Sequence, residues 1–168
     1  MVSRVKRYFL EIKNFSTPIE LNIPEYFKII LDDKKNFEIN KFFYKLIGID
    51  HYWRDRLLWS DEEWSKYASN RNLETYILKK KNDFVGFYEQ EYHPATNEME
   101  LINMGILKEF RGLKLGSALL NHAIVNSSRK NLNRIWVHTC SLDHKHALQN
   151  YKSKGFKIFK EEEIDFIA

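Results

Sequence analysis

The sequence predicts a single α/β (α+β) domain, in which helices flank a mixed, mostly antiparallel central sheet of about six to seven strands. Three neighbouring β-type runs between residues 73 and 107, separated by polar turns, are typical of an antiparallel meander. Helical and β-type runs then alternate to the C-terminus, and this order favours helices packed against a sheet. A chain of 168 residues that is 43% hydrophobic can bury one core, and no repeat or linker divides it.

The N-terminal part contains one predicted strand and two predicted helices. The run RYFLEIKN at residues 7–14 alternates in the way that a half-buried strand does. A helix is expected over Phe37–Leu46. Ser60, followed three residues later by Glu63, forms a capping-box pattern, so a short helix is predicted over Asp61–Ser69.

The meander and the segments after it complete the predicted sheet. The runs LETYILKK and DFVGFYEQEY are joined by turn-forming residues and predict a hairpin, and the polar break HPATNE leads to a third strand, MELINMGIL. There follow a helix from about Leu115 to Ser128, the β-rich run RIWVHTC, a helix from about Asp143 to Lys154 and a last strand from Phe156.

Charge and cysteine content exclude several classes of protein. The formal net charge of +4 is too small to demand a nucleic-acid partner, and the acidic run EEEID near the C-terminus argues further against one. The lone Cys140 excludes an internal disulfide, and no apolar run has the length of a membrane span or the form of a signal peptide. We therefore expect a soluble, cytoplasmic protein without a membrane or nucleic-acid partner, and a homodimer is compatible with the sequence.

The stretch EFRGLKLGSALL at residues 109–120 is suited to bind an anion. The first amides of a helix are unpaired and carry a partial positive charge. Gly112 and Gly116 remove side chains that would keep a phosphate away from these amides, and Arg111 and Lys114 add charge. From the glycines and charges alone, the alternative that they only form a tight turn stays open.

Two motifs in the C-terminal hundred residues resemble the GCN5-related N-acetyltransferase (GNAT) family. Arg111 and Gly116 fill the first and last positions of its acyl-CoA signature, Arg or Gln, two residues, Gly, one residue, Gly or Ala, while Lys114 stands where a glycine is common. Independently, ALQNYKSKGF is similar to the family's Ala, three residues, Tyr, then KxGF. The runs DHYWRDRLLWSDEEW and HTCSLDHKHAL resemble a subgroup whose substrate the sequence does not identify.

The resemblance implies a GNAT fold with one N-acetyltransferase domain over residues 1–168, its acyl-CoA signature at about 98–130 and its C-terminal element at about 133–163. It implies transfer of an acetyl group from acetyl-CoA to an amine of a small molecule or peptide, with the acceptor and the use of another acyl group left open. A non-catalytic acyl-CoA sensor is the alternative. The residues expected to hold acetyl-CoA are Met104, Gly105, Ile106, Arg111, Gly112, Leu113, Lys114, Leu115, Gly116, Ser117 and His144.

An alkyl amine is mostly protonated at neutral pH, so the reaction requires a base. Glu100 shares strand parity with Ile102, Met104 and Ile106, and burial of that face would raise the pKa of its carboxyl. It also lies where histone-acetylating members of the family carry their base. Glu89 and Glu91, which could bind or deprotonate the substrate, and a chain of water molecules remain alternatives.

Tyr151 occupies the family's usual position for the acid that protonates the leaving thiolate, and the alternative is a tyrosine that only packs on the sheet.

Trp53 and Arg56 lie in the region that closes over the acceptor in this family, so both are expected to bind substrate. Core packing for the tryptophans, and an ion pair with Asp61 for Arg56, are the alternatives.

Histidines near the C-terminus suggest a metal site, but we expect none. Their spacing matches no zinc pattern, and Cys140 is the only thiolate that the chain offers. The residues of this cluster are His138, Cys140, His144 and His146.

Overall fold

The computed structural model describes residues 1–15 and 21–167. Its strands are β1 (Val2–Ile12), β2 (Phe27–Leu31), β3 (Leu73–Lys80), β4 (Asp83–His93), β5 (Glu98–Ile106), β6 (Arg134–Cys140) and β7 (Lys157–Ile167). Its helices are α1 (Phe37–Gly48), α2 (Asp61–Ser69), α3 (Leu115–Ser128) and α4 (Ala147–Ser153).

The strands form one seven-stranded sheet in the order β2-β3-β4-β5-β6-β1-β7. Among the strands of residues 1–15 and 21–167, only β5 and β6 pair in parallel, and the other neighbouring pairs are antiparallel. The predicted meander is present as β3, β4 and β5. The mixed, mostly antiparallel sheet flanked by helices is therefore confirmed.

Two elements depart from the sequence-based expectation. Strand β2 was not predicted, because it is only five residues long, lies at the edge of the sheet and has no fully buried residue. Helix α4 begins at Ala147 and not at Asp143. The reason is that the Asp143 carboxylate folds back to accept hydrogen bonds from the Thr139 hydroxyl and the Cys140 amide, which holds the intervening segment as a turn.

The capping box of α2 is confirmed in detail. The Ser60 hydroxyl accepts a hydrogen bond from the Glu63 amide at 3.2 Å, and the Glu63 carboxylate accepts one from the Ser60 amide at 2.8 Å. Two otherwise unpaired donors are thereby satisfied.

Helices cover the two faces of the sheet unequally. Helix α3 packs on one face through apolar residues such as Leu119, Leu120 and Ala123, which are fully buried with Leu10 and Val137 of the sheet. Full burial of each leucine side chain contributes roughly 1.5–3 kcal/mol to the free energy of unfolding. Helix α1 covers part of the opposite face through the smaller cluster of Phe43, Ile47, Ile77, Phe87 and Leu107.

A β-bulge interrupts the pairing of β4 and β5. Gln90 pairs with Leu101 and Tyr88 with Met104, so two residues of β5 oppose Glu89 alone. The extra residue reverses the alternation of side chains.

The bulge overturns the expected parity of Glu100. Met104 and Ile106 lie on the α3 side of the sheet together with Met99 and Leu101, whereas Glu100 lies on the other side. No pattern in the sequence marks the position of this extra residue.

Within the described residues, no helix combines the length and apolar character that crossing a membrane requires.

Candidate active site

The parallel strands β5 and β6 separate part-way along their length. Their last paired residues are Leu101 and Val137, and the bulge of β5 follows at once. Because a bulge bends its strand, β5 turns away from β6 at this point. Residues Ile102–Ile106, which have no partner on β6, line a cavity of about 1010 Å³. The cavity is also bounded by the turn before α3, by α4, by the loop after α1 and by parts of β1 and β7.

The turn before α3 holds two residues in the left-handed region, Gly112 at φ 88° and Lys114 at φ 59°. This conformation costs a non-glycine residue roughly 1–2 kcal/mol, which explains why a glycine suits the position of Lys114.

The N-terminus of α3 opens toward the cavity. Lys114 is its N-cap residue, and no described side chain caps the helix. Gly116 and Ser117 line the cavity, and a Cβ added at Gly116 would have no atom within 4 Å. An anion therefore has space to approach the unpaired amides.

Arg111 is held beside this turn by two contacts. Its Nε donates to the Ile106 carbonyl at 3.1 Å, and its Nη1 lies 3.0 Å from Asp50 Oδ2. The pKa of Asp50 is lowered by this hydrogen bond. The remaining nitrogen, Nη2, is buried and has no partner in the described residues. A buried donor beside an anion-binding turn fits a phosphate oxygen.

Gly105 lines the cavity and also lies directly against helix α1. A Cβ at this position would lie 2.6 Å from Cγ2 of Ile47. The missing side chain therefore admits helix α1, and any substitution would push the helix away from the sheet.

Tyr151 places its phenol at the cavity. The ring packs edge-on against Phe156 at 5.6 Å, and within residues 1–15 and 21–167 the hydroxyl has no hydrogen-bond partner. Burial, followed by the nearby charge of Asp143, raises the pKa of the phenol well above its ordinary value. The side chain is therefore protonated at neutral pH and can donate a proton.

Asp143 is a cavity residue that the sequence did not reveal as functional. Its Oδ2 accepts from the Thr139 hydroxyl at 2.6 Å, and its Oδ1 accepts from the Trp53 indole at 3.2 Å. These bonds join β6 to the loop after α1. The sequence could not show this arrangement, because Trp53 and Asp143 are 90 positions apart.

Imidazoles line the same cavity near Asp143. Burial is the main reason that the pKa values of His51, His138 and His144 lie below the ordinary value. The ring of His144 lies 5.8 Å from that of His51 and 5.3 Å from that of His146. In the described part of the chain, no group of three or more His, Cys, Asp or Glu side chains is arranged to hold a metal ion.

Arg56 lines the cavity from inside an aromatic box. Its guanidinium carbon lies 4.1 Å from the ring centre of Tyr67 and 4.8 Å from that of Trp59, with Tyr44 and Trp64 completing the box. The expected alternative pairing with Asp61 is wrong, because Asp61 is bound by Lys41 at 2.8 Å.

The profile of the acetyltransferase (GNAT) family matches residues 36–156, which is most of the chain. The protein belongs to the GNAT family. No curated protein matches the sequence.

Solved structures confirm that this GNAT chain has the family's fold. A GCN5-related N-acetyltransferase from Sphaerobacter thermophilus superposes with a TM-score of 0.74 at 13% identity, over 96% of this chain and 50% of its own, so this chain spans half of that protein. An aminoglycoside acetyltransferase from an uncultured soil metagenomic sample gives 0.65 at 14% identity, over 88% and 97%. An IAA acetyltransferase from Bacillus cereus gives 0.58 at 21% identity, over 80% and 79%.

The glutamates proposed as base or substrate ligands do not line the cavity of this GNAT domain. Glu89 is 1% exposed and accepts hydrogen bonds from Asn40 at 2.6 Å and Asn103 at 2.8 Å. Glu100 is bound to His93 Nε2 at 3.0 Å, and burial raises the pKa of its carboxyl more than His93 lowers it. Glu91 lies 3.8 Å from the same histidine.

Most of the expected acetyl-CoA residues do meet in one place. The cavity brings together residues of the β5 edge, the turn before α3 and α4 that are far apart in sequence. Those on its wall are Met104, Gly105, Ile106, Arg111, Gly112, Lys114, Leu115, Gly116, Ser117, His144 and Tyr151, with Trp53 and Arg56 of the expected substrate residues. Leu113 is exposed and is absent from the wall.

Proposed function

We propose that the protein transfers an acetyl group from acetyl-CoA to a primary amine of a small molecule or peptide. One observation carries the proposal: the gap between β5 and β6, the uncapped N-terminus of α3 and the Tyr151 phenol open into a single cavity. Anion binding, an unpaired strand edge and a proton donor are the three functions that this reaction needs.

The residues around the cavity fit acetyl-CoA. The open space at Gly116 and the orphaned Nη2 of Arg111 suit a diphosphate, with Lys114 adding charge. The free edge of Ile102–Ile106 suits the amides of a pantetheine arm. When bound, acetyl-CoA supplies a thioester whose acetyl carbon an amine nitrogen can attack.

Tyr151 supplies a proton to the departing sulfur in this proposal. Its hydroxyl lacks a competing partner in the described chain, and its raised pKa keeps it protonated. Glu100 remains the sequence-based prediction for the base. Because Glu100 does not line the cavity, this role requires a proton path through further groups, such as a chain of water molecules.

The proposed acceptor is an amine because two neighbouring features suit one. Asp143 presents a carboxylate on the cavity wall, and within the described residues it has no ion-pair partner. Trp53, Tyr44 and Tyr52 add aromatic surface nearby. A carboxylate and aromatic faces together attract an alkylammonium group. The aminoglycoside acetyltransferase of similar fold is named for acceptors of this kind.

The test couples a binding measurement with turnover. Isothermal titration calorimetry with CoA checks the cavity, and release of free CoA thiol from acetyl-CoA is then measured against amino acids, peptides, polyamines and aminoglycosides. We expect CoA binding and amine-dependent thiol release. Binding without thiol release for any amine would favour a non-catalytic sensor, and absence of binding would overturn the proposal.

A further inference from the structure

His138 lies at the point where the sheet opens. It is the residue of β6 that directly follows Val137, the last residue paired to β5. On its other side His138 pairs with Phe9 of β1, whose ring lies 5.6 Å from the imidazole. The ring is therefore held by β1 while it lines the cavity opposite the free edge of β5.

The two ring nitrogens of His138 are available to a ligand. Within residues 1–15 and 21–167 neither nitrogen has a hydrogen-bond partner. Two other half-buried imidazoles, one on β4 and one on α3, differ in this respect. His93 of β4 is hydrogen-bonded to Glu100, and Nδ1 of His122 on α3 is hydrogen-bonded to the Tyr88 hydroxyl at 2.7 Å.

Charged groups on four neighbouring segments act on His138. Arg7 of β1 favours the neutral ring, while Asp143 before α4, Asp55 of the loop after α1 and Glu162 of β7 favour the protonated ring. Burial outweighs the carboxylates, so the pKa of the ring lies below its ordinary value and the imidazole is neutral at neutral pH. A neutral imidazole can accept a proton.

We propose that His138 is the general base that removes the proton from the acceptor amine, an inference that rests on the proposed function. The bound alkylammonium group first releases one proton to solvent, which frees the nitrogen lone pair. A ring nitrogen of His138 then accepts the next N–H proton as the amine nitrogen forms its bond to the acetyl carbon. The bond between that carbon and sulfur breaks, and the sulfur takes the proton of the Tyr151 hydroxyl. The proton on His138 then returns through solvent to Tyr151, so charge and protons balance over one cycle.

The test compares His138→Gln with two other variants in full-length protein. The substrate is acetyl-CoA with the amine that the wild-type protein acetylates fastest. His138→Gln should lower kcat by about 100-fold or more and leave the Kd for CoA within about threefold. His122→Gln is the matched control, since His122 is also half-buried with a lowered pKa but lies outside the cavity, and its kcat should stay within about twofold.

Chemical rescue separates a base from a structural residue. Added imidazole should restore turnover to His138→Ala in proportion to its concentration and should not affect the wild-type protein. The proposal is overturned if His138→Gln keeps wild-type kcat, if Glu100→Gln loses more activity than His138→Gln, or if imidazole restores nothing. A wild-type protein that acetylates no amine overturns the proposed function itself, and this result is distinguishable because it involves no variant.

Discussion

Glu89 Oε1 lies 3.7 Å from Arg56 Nη1 in the interior, where the two side chains are 1% and 13% exposed. Asn40 and Asn103 bind the carboxylate, and four aromatic rings surround the guanidinium. The pair connects the loop after α1 to β4 and β5 beside the cavity. It is a structural support of the cavity wall, because neither charge can be removed without leaving the other buried and unpaired.

We predict that Glu89→Gln lowers the free energy of unfolding by about 3 kcal/mol. The amide would leave Arg56 without a countercharge, and its NH2 group would meet the amide donors of Asn40 or Asn103. Urea denaturation followed by circular dichroism measures the change. Glu91→Gln, two positions along the same strand and more exposed, is the control and should change stability by less than about 0.5 kcal/mol. Equal losses in the two variants would contradict the prediction.

Gly112, in the turn before α3, and Gly116, in the first turn of α3, should respond differently to alanine. Gly116→Ala should raise the free energy of unfolding by up to about 1 kcal/mol, since alanine favours a helix and its methyl group meets no protein atom. The same methyl group would occupy the space that we assign to the diphosphate, so CoA affinity should fall about tenfold.

Gly112→Ala is the comparison for this experiment. Its φ of 88° is unfavourable for alanine, so this variant should be less stable than the wild-type protein by about 1–2 kcal/mol. Thermal unfolding and calorimetric titration with CoA provide both quantities. Unchanged CoA affinity in Gly116→Ala would count against phosphate binding at the start of α3.

Tyr151→Phe should lower kcat by about 100-fold because it removes the proposed proton donor. The Kd for CoA and the melting temperature should change little, since the ring still packs on Phe156 and the hydroxyl has no partner to lose in the described chain. Thiol-release kinetics with the best amine provide the measurement. Tyr92→Phe, whose hydroxyl binds Asn97 away from the cavity, is the control and should retain full turnover. Similar kcat values in both variants would exclude Tyr151 as the acid.

Stability should decrease as the pH falls below about 6.5, in part because of His122. Burial, with Arg129 as a further cause, lowers the pKa of His122 from its unfolded value of 6.5. The unfolded chain therefore binds the proton first, and the stability present above pH 6.5 is lost as the pH falls from 6.5 through the lower folded value.

The check is the free energy of unfolding of wild-type protein and His122→Gln at about pH 7.5 and about pH 5. The difference between the two pH values should be smaller in the variant, because Gln does not titrate. A pH dependence that is the same in both proteins would show that His122 does not contribute.

The features that the sequence determined by itself are local. Ser60 and Glu63 specify the start of α2, and the glycines and cations of residues 111–116 predict the turn before α3, because a cap or turn depends on residues a few positions apart. Helix α3 begins and ends as predicted for the same reason. The order of the strands and helices other than β2 also follows from local periodicity, and together with the two motifs it was enough to predict the family.

Only the tertiary structure decided which groups line the cavity. The extra residue of β5 opposite Glu89 places Glu100 on the face of the sheet opposite to Met104 and Ile106, and pairing with the neighbouring strand β4, not local sequence, defines that bulge. Trp53 meets Asp143, and His138 reaches the opening between β5 and β6, through contacts between segments far apart in the chain. Hydrogen bonds and packing across such separations depend on how the whole sheet assembles, so residue spacing alone does not encode them.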